Sequence, residues 1–140
     1  MTASLTALPF EDTVGAWVPH GRYSLPPTGS GPLDGLAFAA KDLFDVAGQF
    51  TGAGNPAWLD SHPPAAQHSP IIAQLLEAGA RLHGKTLTDE LAYSIHGDNM
   101  HYGAPLNTRA PDRVTGGSSS VASHWASTSL GRASMNSSEA

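Results

Sequence analysis

The sequence contains no cysteine. That absence excludes disulfides, thiolate zinc sites and cysteine nucleophiles together. Positive charge is also scarce: seven Lys and Arg residues are scattered against twelve Asp and Glu, for a net charge of -5. No basic patch is left to attract nucleic acid or an anionic membrane. No apolar run approaches the roughly 18 to 20 residues that a membrane span needs. The N-terminus lacks the basic start and continuous apolar segment of a signal peptide. The expectation from these absences is a soluble, cytoplasmic chain with neither nucleic acid nor membrane as a partner. Turn formers, by contrast, are plentiful, with 15 Gly and 11 Pro in 140 residues. The length suits one domain, but so loop-rich a chain reads better as a piece of a larger fold than as a compact small one.

Residues 1–30 carry Pro9, Pro19, Pro26 and Pro27 and show neither strand nor helix periodicity. They read as an extended N-terminal arm, with one short helical turn around Glu11 to Ala16. Leu36 to Ala40 is a short apolar run that suggests a buried strand ending in Lys41. Open α/β sheets place their sites at such carboxyl ends. Thr51 to Pro56 is a turn cluster. From Ser69 the signals sharpen: Ser69 can cap a helix, Pro70 suits its first position, and Ile71, Ile72, Leu75 and Leu76 follow at helical spacing. Gly79 stops that helix. Arg81 to Thr86 reads as a strand, completing strand-helix-strand, the unit of a parallel sheet. Thr86 or Thr88 could cap a second helix through Tyr93, and the chain from Ile95 to Thr115 reads mostly as loop.

Three further patterns have weak chemical readings. Gly79 to Thr86 formally matches the phosphate-loop pattern G-x-x-x-x-G-K-[ST], but that loop must follow a strand and open a helix. Here Gly79 ends a helix and the intervening residues read as a strand, so nucleotide binding is not expected. The seven histidines lack the paired spacing of metal ligands, so no metal site is expected. Trp58, Tyr93 and Tyr102 read equally well as an aromatic pocket or as packing.

The densest chemical signal is Val114-Thr115-Gly116-Gly117-Ser118-Ser119-Ser120. Two glycines running into three serines suit either a flexible linker or a tight, polar wall where backbone approaches a ligand. Taken with GPLDGLAFAAKDLFDVAG (31–48), LLEAGARLHGKTLTDELAYS (75–94) and HYGAPLN (101–107), it resembles the amidase signature family of serine hydrolases in both motif order and spacing. The resemblance covers about residues 31 to 120. It implies an α/β fold, here the N-terminal part of the family's mixed sheet and incomplete, followed by a divergent Ser-rich tail at 121–140. It also implies a Ser-cisSer-Lys triad, with Lys41 as the lysine and Ser118 as the cis-serine, and substrate-binding roles for Gly116, Gly117, Ser119 and Ser120. The expected partners are a small-molecule amide and a second copy of the chain in a homodimer. No cofactor is implied.

The same resemblance implies a nucleophilic serine further on, in a stretch like Gly-Thr-Asp-Thr-Gly-Gly-Ser. No such stretch follows Ser118; the sequence runs instead through Val121-Ala122-Ser123-His124-Trp125 to Ala140. A truncated or frame-shifted reading frame would produce this. The expectation is therefore an amidase-family hydrolase that is inactive as this chain alone. The similarity is greatest to small plant-type and bacterial amidases acting on indole-3-acetamide-like amides. The alternatives are a catalytically silent interaction remnant and a relative of glutamine-hydrolysing transamidation subunits.

A serine-lysine system needs a neutral amine, and burial beside the Leu36 to Ala40 run would favour one. Asp42 and Asp45 would oppose it if they pointed the same way.

Overall fold

A computed structural model describes residues 4–118. The serines at 119 and 120 and the whole of the Ser-rich stretch at 121–140 lie outside the described residues. Four strands form one mixed sheet: β1 (Thr6–Ala7), β2 (Tyr23–Leu25), β3 (Ala37–Lys41) and β4 (Arg81–Thr86), in the order β1-β2-β4-β3. The β1/β2 and β2/β4 pairs are antiparallel, while β3 and β4 run parallel, with Phe38 opposite Leu82 and Lys41 opposite Thr86. Parallel neighbours need a long crossover, and residues between β3 and β4 supply it with two helices, α1 (Pro56–Ser61) and α2 (Pro70–Glu77). Among the described residues no helix is long and apolar enough to cross a membrane.

Both expected strands, β3 and β4, form where the apolar runs lie. Flanked on both sides, β4 is buried from Leu82 to Thr86, as expected of a strand inside a sheet. The crossover helix α2 also forms as expected, with Pro70 at its first position. Its apolar face is narrower than the spacing suggested. Ile72 and Leu76, four apart, are buried, Leu75 is half-buried and Ile71 is 44% exposed. Ser69 precedes the helix without capping it; its hydroxyl accepts from the Asp45 N–H at 2.7 Å instead. Tyr23, Leu25, Ala40, Val46, Ile72, Leu76 and Leu82 make one core cluster. A second gathers Leu8, Phe10, Val14 and Ala39 around Ala16 and Trp17.

Four local expectations are revised. Residues 11–16 form no helical turn: the Asp12 carboxylate accepts from the N–H groups of Val14, Ala16 and Trp17, holding an open bend. Two parts of the N-terminal segment, β1 and β2, pair into the sheet. The turn cluster at 51–56 runs into a helix, α1, because Asn55 accepts from the N–H groups of Ala57 and Trp58 and Pro56 takes the first position. An Asn-Pro pair is a start signal for a helix as well as for a turn. The expected second helix after β4 shrinks to a 3-10 turn at Glu90–Ala92, where Leu91 and Ala92 hold positive φ angles of 48° and 56°. Thr88 does not cap it, because its hydroxyl donates elsewhere.

Candidate functional site

Lys41 is the last residue of β3, so the sheet delivers its side chain at the strand's carboxyl end. Opposite it hangs the turn Gly116-Gly117-Ser118. This turn is suspended from two segments. Gly116 N–H donates to His96 O at 3.1 Å and Gly117 N–H to Ile95 O at 2.8 Å. On the other side the Ser118 carbonyl accepts from the Thr88 hydroxyl at 2.9 Å and from the Asp89 N–H at 3.4 Å. Gly116 has a φ of +81°, which favours glycine. The Gly117–Ser118 peptide bond is cis. So arranged, Ser118 Oγ lies 2.5 Å from Lys41 Nζ, across 77 positions of sequence. Burial holds the Lys41 amine below the usual lysine range, against the charge of Asp89, which favours the ammonium.

The acidic neighbours do not share Lys41's side. Asp42 is fully buried, with Oδ1 2.9 Å from Lys85 Nζ and Oδ2 accepting from His20 Nε2 at 2.8 Å and from the Gly52 N–H at 3.1 Å. Asp45 accepts from the Thr51 hydroxyl at 2.7 Å. Successive residues of an extended chain point to opposite sides, and Asp42 directly follows β3. That alternation was the available signal that the carboxylate would leave the amine free.

Sequence reasoning missed two groups. Lys85, set aside with the phosphate-loop pattern, is 0% exposed within β4; besides Asp42 it donates to Phe50 O at 3.0 Å and to the Thr51 hydroxyl at 2.7 Å. Its only signal was a cation inside an expected strand, between Gly84 and Thr86. Asp89 is also 0% exposed and lies behind the turn: a Cβ at Gly117 would come within 2.1 Å of its Oδ2. Of the expected site residues, Lys41 and Ser118 meet, with Gly116 and Gly117 forming the turn between them and the backbone of 95–96. Ser119 and Ser120 are outside the described residues. The histidines serve elsewhere: His83 packs against Phe10 in the second cluster, and His101 pairs with Glu90 at 3.2 Å. Among the described residues no three His, Asp or Glu side chains gather as metal ligands would.

Chemically, a hydroxyl bonded to an amine that burial drives toward neutrality is a proton relay. It can take a proton from a third group and return it.

The Amidase family profile matches residues 21–131. The chain is 56% identical over 101 residues to Amidase 1 of Oryza sativa subsp. japonica, covering 71% of this chain and 23% of that protein. To Amidase 1 of Arabidopsis thaliana it is 53% identical over 108 residues, covering 76% of this chain and 25% of the relative. A crystal structure of an amidase superposes with a TM-score of 0.56 at 42% identity, over 64% of this chain and 20% of the other. The chain thus spans about a quarter of the length of these plant relatives. With the match running from β2 through the lysine and the cis-serine turn, the chain belongs to the amidase family.

Proposed function

We propose that this region supplies the base and relay of an amide hydrolase, and that the 140-residue chain does not turn over by itself. Lys41, whose ammonium form burial disfavours, takes a proton through Ser118 from a nucleophilic serine. That serine attacks the amide carbonyl; the proton returns by the same path to the leaving amine, and water then hydrolyses the acyl-enzyme to the carboxylate. The observation carrying this reading is the 2.5 Å approach of Lys41 Nζ to the hydroxyl of Ser118, whose peptide bond is cis. Small aryl amides such as indole-3-acetamide are the substrates we favour, on the resemblance of GNPAWL (54–59) and ELAYSIHGDNMHYG (90–103) to amidases acting on such amides. The silent half of the reading rests on the sequence after Ser118. Around Ser137 and Ser138, the run Met135-Asn136-Ser137-Ser138-Glu139 lacks glycines to present N–H groups to an oxyanion.

The test is ammonia release from indole-3-acetamide and from simple aryl amides by the purified chain, with no turnover expected. Activity of about 1 per second or more, abolished by Ser118→Ala, would mean that a serine of this chain fills the missing role. The relay itself is tested in a longer polypeptide that joins this region to a nucleophile-bearing remainder. There Lys41→Ala and Ser118→Ala should each lower kcat by about 100-fold or more; unchanged kcat in either variant would remove that residue from the relay.

A further inference from the structure

Asp89 stands out among groups that the proposed chemistry does not use. Its side chain is fully buried. Among the described residues Oδ2 accepts one long hydrogen bond, from the Gly97 N–H at 3.3 Å, and Oδ1 accepts none. Buried carboxylates are ordinarily paired and fully hydrogen-bonded, because leaving water is costly for a charge. Near the surface such a group would need no account; at 0% exposure it does.

Its position ties it to the cis-serine turn in three ways. Gly97, the donor to Oδ2, directly follows Ile95 and His96, whose carbonyls hold Gly117 and Gly116. The Asp89 N–H, together with the Thr88 hydroxyl, faces the Ser118 carbonyl. The Asp89 carboxylate also fills the space that a Gly117 side chain would occupy. From these contacts we propose that Asp89 is a positioning residue of the site: its carboxylate braces the Gly116–Ser118 turn through Gly97 and sets the electrostatic balance of the Lys41 amine.

The balance falls to Asp89 because the other charges nearby are engaged or exposed. Asp42 is held by Lys85 and His20. Glu90 accepts from Asn55 at 2.5 Å and meets His101 at 3.2 Å. His96 and Asp98 lie exposed. Tyr102 feels burial first and then Asp42 and Asp60. Burial disfavours the Lys41 ammonium, and the Asp89 charge opposes that. A relay that must both take and return a proton is served by such opposed influences.

The proposal rests on Lys41 acting as the base, but its test reads titration and needs no turnover, so failure of hydrolysis and failure of this inference are separable. Lys41 and Lys85 are the only lysines in the sequence. The full chain labelled with 13C-lysine therefore gives two side-chain Cε signals, assigned by Lys41→Met. In Asp89→Asn, which keeps the shape and an acceptor for Gly97, the Lys41 midpoint should fall, because the charge that favours the ammonium is gone, while the Lys85 signal stays in place. A Lys41 midpoint that stays in place or rises would overturn the proposal, since a merely structural role leaves the amine as it is or, by exposing it, raises its midpoint. Should Asp89→Asn not fold, the wild-type chain decides. The Asp89 carboxyl carbon should show a step at the Lys41 midpoint that vanishes in Lys41→Met, as coupled groups do. Absence of that step would equally overturn it.

Discussion

Replacing Lys85 by Met removes a fully buried ammonium and leaves its partner carboxylate behind. Lys85 stands on β4, the strand between β2 and β3, and its side chain is fully buried, so Met fills most of the same volume. The polar loss is specific: the 2.9 Å approach to Asp42 and the hydrogen bonds to Phe50 O and the Thr51 hydroxyl all go. Asp42 keeps His20 and the Gly52 N–H, but both act on Oδ2, so Oδ1 is left facing a thioether. Breaking one side of a buried ion pair costs about 3 to 5 kcal/mol, whereas removing both sides is often neutral. Against a typical stability of about 5 to 15 kcal/mol, that is a large fraction. Urea unfolding, followed by the fluorescence of buried Trp17, reads the effect directly. With a slope of about 1 to 3 kcal/mol per molar urea, the Lys85→Met midpoint should fall by roughly 1 M or more. The double variant Lys85→Met with Asp42→Asn should recover at least half of that fall, because the amide still accepts from Gly52 without a charge. A Lys85→Met midpoint indistinguishable from wild type would refute the reasoning, as would a double variant no more stable than the single.

Three other outcomes follow from the same structure. Leu76→Ala should cost about 2 to 5 kcal/mol while Ile71→Ala, at a position 44% exposed, should change stability by no more than about 0.5 kcal/mol; similar losses at both positions in urea unfolding would mean that the buried face of α2 is misassigned. Tyr23 has a buried hydroxyl with no partner among the described residues, and burial, then Asp42, pushes its pKa well above the usual tyrosine value. The folded state therefore holds that proton more tightly than the unfolded one, so its contribution is complete below about pH 10 and is lost as pH rises above it; Tyr23→Phe should flatten the alkaline fall in thermal midpoint and be neutral or stabilising near pH 7, and an unchanged alkaline fall would count against it. Gly117→Ala puts a methyl 2.1 Å from Asp89 Oδ2 and 2.6 Å from the Gly97 nitrogen; the displaced turn should release Lys41 to solvent and raise its titration midpoint toward that of an ordinary lysine, and an unmoved midpoint in 13C-lysine spectra would show that the turn tolerates the methyl.

Much of the framework was legible in the sequence because it depends on local periodicity. Leu36 to Ala40 is long enough for one strand, Pro70 to Glu77 carries an apolar pair one turn apart, and Arg81 to Thr86 follows a glycine stop. A strand, a helix and a strand in that order leave a parallel pair as the economical packing, and β3 and β4 adopt it. Lys41 at a strand end and Ser118 in a glycine turn were recognisable as a pair only through the family's motif order. No local rule links residues 77 positions apart.

Tertiary structure alone decided where the charges went. Periodicity reports which residues lie inside, not which buried charge finds which partner, and Asp42, Lys85 and Asp89 are all fully buried. Asp42 could have faced Lys41; the extended chain turned it toward Lys85 and His20 instead. Lys85 fell in a formal phosphate-loop pattern that its strand context already argued against, but only the placing of β4 between β2 and β3 buried it against Asp42. Thr88 and Asp89 carry helix-start chemistry, yet the nearby Ser118 carbonyl claims the Thr88 hydroxyl, and the chain leaves helical geometry at Leu91. Capping is a local preference of about 1 kcal/mol, and a buried carbonyl needing a donor outweighs it. For the same reason Asp89 could not be found from sequence: its surroundings come from the backbone of 97 and 116–118, brought together only when the turn docks.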